Sequence, residues 1–151
     1  MITSNDFTDR FLEPATGNAD GDFAYVLHRG ADGTVYTNVP HRVVHHSPSG
    51  YEFSYGGSGP ADLALNMLED ALIRMDYADP MPPIDCYAGR CMSLAWRLHQ
   101  PFKWAFISPM AHGGGRITFR EVAAWIAARA PEPMESDAWQ FPQVGPDEDY
   151  F

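Results

Sequence analysis

A glycine-rich turn, Tyr55-Gly56-Gly57-Ser58-Gly59-Pro60, is the stretch of this sequence that best suits a ligand-binding loop. It precedes a helical pattern, and backbone N–H groups at a helix N-terminus bind anions such as phosphate. The candidate ligand-binding residues are Gly57, Ser58 and Gly59, with Arg42, Arg74 and Arg116 as candidate counter-charges. The alternative is a structural corner in which glycine permits a positive φ. This alternative is favoured because Asp62, in the expected first turn, would repel an anion.

Two catalytic motifs that use such turns are incomplete here. A phosphate-binding P-loop needs a lysine directly after its glycines, whereas the lysine of this chain is Lys103. A hydrolase elbow needs Gly-x-Ser-x-Gly, and Pro60 stands where the last glycine belongs. We therefore predict no catalytic residues, no enzymatic activity and no cofactor.

Histidine and cysteine side chains offer a second kind of chemistry, metal binding. The candidate ligands for zinc are His41, His45, His46, Cys86, Cys91 and His99. The Cys-x4-Cys spacing is looser than that of a structural zinc site, and on a strand His46 would point away from His41 and His45. The sequence predicts no metal site, and no disulfide if the chain stays in a reducing compartment.

The acidic charge of the chain, −10 in all, is concentrated at its two ends. Residues 1–22 carry five acidic residues and one arginine, and residues 131–151 carry six acidic residues and no base. Residues 23–130 carry nine of each sign. A nucleic-acid binder needs a basic surface, so we predict a protein partner, with a basic surface, and no direct nucleic-acid contact. The alternative is that the acidic ends only keep the protein in solution.

The C-terminal segment combines this charge with aromatic side chains, which can anchor a partner once charge has attracted it. The candidate partner-binding residues are Trp139, Phe141, Asp147, Glu148, Asp149, Tyr150 and Phe151. No apolar run approaches the roughly 18 residues of a membrane span, and the N-terminus lacks the basic start and apolar core of a secretory signal. We expect a cytoplasmic protein with no membrane partner.

The patterns between the charged ends predict an α+β fold. Residues 23–29 and 34–39 read as a hairpin about an Asp-Gly turn, and residues 42–46 and 51–55 as two further strands of a small antiparallel sheet. We therefore divide the chain into an acidic N-terminal loop (1–22), one domain (23–130) and an acidic aromatic tail (131–151).

After the glycines the apolar spacing becomes helical. One face of the first helix carries Ala64, Met67, Leu68, Ala71, Leu72 and Met75, and the polar residues Asp62, Asn66, Glu69, Asp70 and Arg74 fall elsewhere. Pro60 suits its first position, with Gly59 as the cap. A second helix is expected over about 87–99, and residues 104–107 read as a buried strand carrying Trp104. A capping box, Thr118 with Glu121, begins a third helix.

The motif aromatic-Gly-Gly-Ser-Gly-Pro-x-x-Leu-Ala at 55–64 resembles an uncharacterised small-domain family of bacteria, phages and plasmids. Phe102-Lys103-Trp104 and the Thr-x-x-Glu cap with Trp125 extend the resemblance over about 23–130. It implies an α+β fold and an origin in a mobile element, and it supplies no catalytic residues.

These patterns favour a non-enzymatic interaction module, expected to be phage- or plasmid-encoded and to inhibit a host protein such as a defence complex. The alternative is a small ligand- or nucleotide-binding protein that uses the turn at 56–60. An enzyme of unrecognised type is a third, weaker reading.

Overall fold

A computed structural model describes residues 23–130; the acidic segments 1–22 and 131–151, and the residues predicted in them, lie outside the described part. In chain order its elements are β1 (Ala24–Arg29), β2 (Val35–Thr37), α1 (Ser58–Arg74), β3 (Ile84–Asp85), β4 (Arg90–Cys91), α2 (Ser93–Phe102), a π-helix (Lys103–Ile107), β5 (Gly114–Thr118) and α3 (Phe119–Arg129). The predicted α+β fold, with a small antiparallel sheet and three α-helices, is confirmed.

Strand β1 lies in the middle of the main sheet, whose order is β2-β1-β5. The predicted hairpin is present, with Leu27 opposite Thr37 and Arg29 opposite Val35. The third strand, however, comes from β5, which follows the triple glycine and pairs Tyr25 with Ile117. The sheet therefore joins the two ends of the described chain.

The two further strands predicted at 42–46 and 51–55 do not form. Only Val44 makes an isolated bridge, to Ala88. The other backbone amides of residues 42–46 donate to side chains of α1 instead. Asn66 Oδ1 accepts from the amides of Arg42 (2.7 Å) and Val43 (2.9 Å), and Asn66 Nδ2 donates to the Val43 carbonyl. A strand partner is unnecessary because helix side chains satisfy these donors.

Helix α1 is buried all round, since every residue from 59 to 72 is buried, and it packs against α2, the π-helix and α3. The sequence pattern placed its polar residues outside the apolar face, and they are also buried. Asp70 accepts from the hydroxyl of Tyr25 (2.8 Å), from Arg42 (2.9 Å) and from Arg74 (2.7 Å). Burial, followed by the neighbouring Asp70 carboxylate, raises the pKa of Tyr25. Tyr25 therefore acts as the donor to Asp70.

The region after α1 differs most from the sequence prediction. Residues 87–91 belong to a small hairpin, β3–β4, so α2 begins at Ser93 rather than near residue 87. Its N-terminal amides bind carboxylates from other elements: Glu69 accepts from Met92 N, and Asp79 accepts from Leu94 N at 2.9 Å. Burial raises the pKa of Glu69.

The predicted buried strand at 104–107 is wrong, because α2 continues directly into the π-helix. Pro101 is exposed and lies inside α2, where its missing N–H removes one helical hydrogen bond just before the π-helix begins. The predicted capping box is confirmed at the start of α3, with the Glu121 amide donating to Thr118 Oγ1 at 3.0 Å and the Thr118 amide donating to Glu121 Oε1 at 2.9 Å. Within residues 23–130, no helix is long and apolar enough to cross a bilayer.

Candidate functional site

Three residues form an exposed surface that we call the aromatic patch: Tyr55, Gly56 and Trp104. The side chains of Tyr55 and Trp104 are 51% and 60% exposed, although the sequence placed Trp104 in the core. The patch joins the glycine turn to the π-helix, two segments about 50 residues apart in the chain. Single-turn π-helices occur frequently at functional sites.

The two segments of the patch are fixed to each other by hydrogen bonds. Ser54 N donates to the Ile107 carbonyl at 3.0 Å, and Ser108 Oγ donates to the Tyr55 carbonyl at 3.2 Å. Ser54 has φ of 74°, a left-handed conformation that costs free energy for a residue other than glycine. The Lys103 ammonium lies 4.3 Å from the centroid of the Trp104 ring, an additional cation–π contact. The exposed rings are thus held on a defined backbone.

The glycines of the turn have a different role from the one predicted. None of Gly56, Gly57 and Gly59 is among the residues of positive φ, so the expected left-handed corner is wrong. Gly56 is required by close packing: a Cβ there would lie 2.3 Å from Cη2 of Trp104. The helix also starts two residues earlier than predicted, at Ser58 with Gly57 as N-cap.

A polar cavity of about 250 Å³ lies beside this turn. Its lining includes the predicted ligand-binding residues Ser58 and Gly59, together with Ser47, Ser49 and Glu52. None of the predicted counter-charges lines it. Arg42 and Arg74 bind Asp70, and Arg116 is exposed on β5. The arginine that does reach this region is Arg29, whose guanidinium binds Glu52 at 2.9 Å.

Asp62 was expected in the first turn of α1, but it lies beyond that turn and is fully buried. Its carboxylate accepts hydrogen bonds of 2.9–3.2 Å from the backbone amides of His45, His46 and Ser47. It is therefore a structural anion that fixes residues 45–47 on α1.

The histidines considered as zinc ligands come together only in part. His46 and His99 lie with their Nε2 atoms 3.0 Å apart, and His99 Nδ1 is 2.6 Å from the Trp96 carbonyl. Since a carbonyl only accepts, Nδ1 of His99 carries the proton and its Nε2 accepts from His46. His41 stacks on Tyr51 instead, with ring centroids 4.4 Å apart.

This histidine pair is held neutral by its surroundings. Burial is the main reason why the pKa of His99 is lowered to about 3; the hydrogen bond to Trp96 opposes this, and positive charge on His46, His45 or Lys103 adds to it. Burial also lowers the pKa of His46 and of Lys103. The two cysteines form a separate contact, with Sγ atoms 3.6 Å apart. Among residues 23–130, no three His, Cys, Asp or Glu side chains converge as a metal site.

Trp104 is the site residue that sequence reasoning misplaced, yet a signal for its position exists. Buried residues continue at helical spacing through the end of α2 and the π-helix, at Ala95, His99, Phe102 and Ile107. Extending that period past Pro101 puts Trp104 on the outer side. The predicted tail residues, Trp139 to Phe151, lie outside the described residues.

Comparison with known protein families gives a match to part of the chain. Residues 16–82 fit a family of unknown function, DUF6166. The match begins within the predicted N-terminal loop and includes β1, β2, the glycine turn and α1, but it ends before the hairpin β3–β4 and Trp104. No curated protein and no solved structure gives a significant match to the chain. The similarity to this family therefore covers residues 16–82, less than half of the chain.

Proposed function

We propose that the protein is a non-enzymatic interaction module that binds a protein partner through the aromatic patch. The observation that carries this proposal is the 60% exposure of Trp104 on a backbone fixed by the Ser54–Ile107 hydrogen bond. Tryptophan and tyrosine dominate the binding free energy of protein interfaces, and a rigid aromatic surface loses little entropy on binding.

The partner that fits this surface best has exposed arginine or lysine side chains. Aromatic ring faces attract cations, as the Lys103 ammonium over the Trp104 ring shows, and the exposed ring of Tyr55 can attract a cation of the partner. The acidic ends of the chain, −4 and −6, would attract the same basic surface over a longer range. Both features therefore favour one kind of partner.

Co-purification from cells tests the proposal, with bound proteins identified by mass spectrometry. The Trp104→Ser variant should lose a partner that the wild-type protein retains, because it removes the ring and leaves the buried core intact. Tyr87→Ser is the matched control, since Tyr87 is 75% exposed and lies outside the patch. A partner lost equally from both variants, or retained by both, would show that the patch is not the binding surface.

Truncation after Ala130 separates the contribution of the tail. We expect the truncated protein to bind more weakly, and the difference from wild type to shrink as salt rises, because screening removes the charge contribution of the tail and leaves that of its aromatic residues. Unchanged affinity at low salt would assign the tail to solubility alone. Unfolding on truncation would place its aromatic residues in the core.

The biological role that we propose is inhibition of a host protein, such as a defence complex, by a phage- or plasmid-encoded chain in the cytoplasm. A small domain with a rigid binding surface and acidic ends supports this role. Expression in a host with and without the co-purified protein tests it: the phenotype should require that protein and should disappear with Trp104→Ser.

A second candidate function, binding of a small ligand or nucleotide, is supported by the cavity at Ser58 and Gly59. Its volume, about 250 Å³, is below the usual range for drug-sized ligands and suits a small polar molecule or a phosphate group. A thermal-shift screen of nucleotides and inorganic phosphate tests it. The screen favours this function if a ligand raises Tm for the wild-type protein but not for Ser58→Ala. Ser49→Ala is a second variant of the cavity lining and should behave in the same way.

A further inference from the structure

The two cysteines of the chain lie at one end of the hairpin β3–β4. Cys91 is in β4 opposite Ile84, and Cys86 follows β3 and donates its backbone N–H to the Gly89 carbonyl at 2.9 Å. Alternate residues of a strand share a face, so Cys86 and Cys91 project from the same face of the hairpin. Their Sγ atoms are 3.6 Å apart, compared with about 2.0 Å in a disulfide.

We propose that Cys86 and Cys91 are a redox pair that a low-molecular-weight disulfide converts to an intramolecular disulfide. The sulfur atoms already touch, so bond formation needs only a small side-chain rotation and strand movement. These are the two cysteines of the sequence, so no other thiol of the chain competes for either sulfur.

The reaction has a defined order because the two thiols differ in exposure. Cys86 is half-buried, whereas Cys91 is 1% exposed. The Cys86 thiolate attacks the small disulfide, forms a mixed disulfide and releases one small thiol. The Cys91 thiolate then attacks Cys86 Sγ, which closes the protein disulfide and releases the second small thiol. Two electrons pass from the protein sulfurs to the small disulfide, and the two protons end on the released thiols.

Burial raises the pKa of both cysteines, and the neighbouring thiol adds to the effect at Cys91. The thiolate fraction is therefore small near neutral pH, and the rate should rise as pH rises. Such a pair responds slowly, to sustained oxidation rather than to brief exposure.

Closure would stabilise the hairpin where it contacts the rest of the fold. Ala88, in the turn, exchanges two backbone hydrogen bonds of 2.9 Å with Val44. Met92, just after β4, donates to Glu69 of α1. A disulfide across the hairpin would reduce opening at both contacts, while the aromatic patch would be left unchanged. This inference does not depend on the proposed binding function.

Intact-mass spectrometry of the full chain, treated with oxidised glutathione at about pH 8 and then with an alkylating reagent, tests the proposal. The wild-type protein should lose the mass of two hydrogen atoms and take up no label. Cys91→Ala should stop at the mixed disulfide on Cys86, since no second thiol resolves it. Cys86→Ser should stay reduced, because Cys91 alone is buried.

Glutathionylation of Cys91→Ala shows that the reagent reaches Cys86. The inference is then overturned if the wild-type protein stays reduced, stops at the mixed disulfide or forms a disulfide-linked dimer. Two further measurements use only the wild-type protein, so they do not depend on whether a variant folds. Oxidised wild-type protein should show slower amide exchange over residues 84–92 and a Tm higher by about 5 °C than the reduced protein. Equal exchange and equal Tm in the two forms would contradict the stabilising effect.

Discussion

Residues 41–47 and the aromatic patch flank the same helix, and they reverse the usual placement of side chains. At 41–47, buried Asp62 and Asn66 of α1 bind the backbone amides of a segment that forms no strand. At the patch, Tyr55 and Trp104 expose their rings to solvent. Buried polar groups stabilise the first region because the amides of residues 42–47 have acceptors, whereas exposed apolar rings add little stability to the second.

The difference shows which region serves the fold and which is available for binding. A polar group buried with its partners is costly to disturb, since its loss leaves donors unsatisfied. An exposed aromatic ring can be removed with small effect on the fold, so its position on a rigid backbone calls for another explanation. The variants below should separate stability from binding accordingly.

The largest effect is expected for Asp62→Ala. Loss of the carboxylate leaves the amides of His45, His46 and Ser47 without their acceptor, and the free energy of unfolding should fall by about 3 kcal/mol or more. Urea denaturation measures the change. Asp85→Ala is the control, because this exposed carboxylate pairs with Arg90 at the surface and should matter by less than about 0.5 kcal/mol. Equal losses in the two variants would contradict the role assigned to Asp62.

The second-largest effect is expected from lowering the pH, which should reduce the free energy of unfolding through His99, the partner of His46 in the first region. The pKa of His99 is about 3 in the folded protein and about 6.5 when unfolded. Because the folded pKa is lower, the unfolded state binds more protons below about pH 6.5, and stability falls as pH falls towards 3. The slope should approach about 1.4 kcal/mol per pH unit for His99; the lowered pKa of His46 adds to it, and the raised pKa of Glu69 opposes it. His99→Gln should flatten the slope; an unchanged slope would show that His99 is not the group responsible.

Gly56→Ala tests the contact between Gly56 and Trp104 within the aromatic patch. The new methyl group would overlap the Trp104 ring, so the exposed ring must move, with a loss of about 0.5 kcal/mol and weaker partner binding. Gly113→Ala is the matched control, since a Cβ there meets nothing within 4 Å and its φ is not positive. Thermal denaturation and tryptophan fluorescence compare the two variants. The same Tm and spectrum for both would mean that Trp104 does not lie on Gly56.

The smallest change in stability is expected for Trp104→Ser, at most about 0.5 kcal/mol, because the ring is 60% exposed. Its effect should appear in partner binding instead. A fall of more than about 1 kcal/mol in the free energy of unfolding would assign Trp104 to the core and remove the basis of the patch.

The parts of the fold that the sequence predicted are those determined by neighbours in the chain. The Asp-Gly hairpin, the apolar period of α1 and the Thr118–Glu121 capping box each depend on residues within one or two turns. Burial of Asp62 could not be predicted in this way, because its partners at 45–47 lie about 16 residues earlier and their run of residues resembles a strand. The periodicity of α1 gave no sign that both of its faces are covered.

In the candidate site, too, the features set by neighbouring residues were predicted and those set by distant contacts were not. The sequence singled out the turn at 56–60, and the structure places a cavity there. It did not predict that Gly56 makes room for Trp104, since that contact joins residues 48 positions apart. The predicted arginines were also misassigned: Asp70, buried in α1, binds both Arg42 and Arg74.

The start of α2 has a consequence for the order of folding. The amides of Met92 and Leu94 are bound by Glu69 and Asp79, which belong to α1 and to the segment after it, and not by a side chain at the N-cap itself. Isolated helices of this length are marginal in water. Helix α2 therefore has no local signal for where to begin, and its first turn should form only once α1 is in place. We expect substitutions at Glu69 to slow folding, whereas the self-capped α3 should be able to form early.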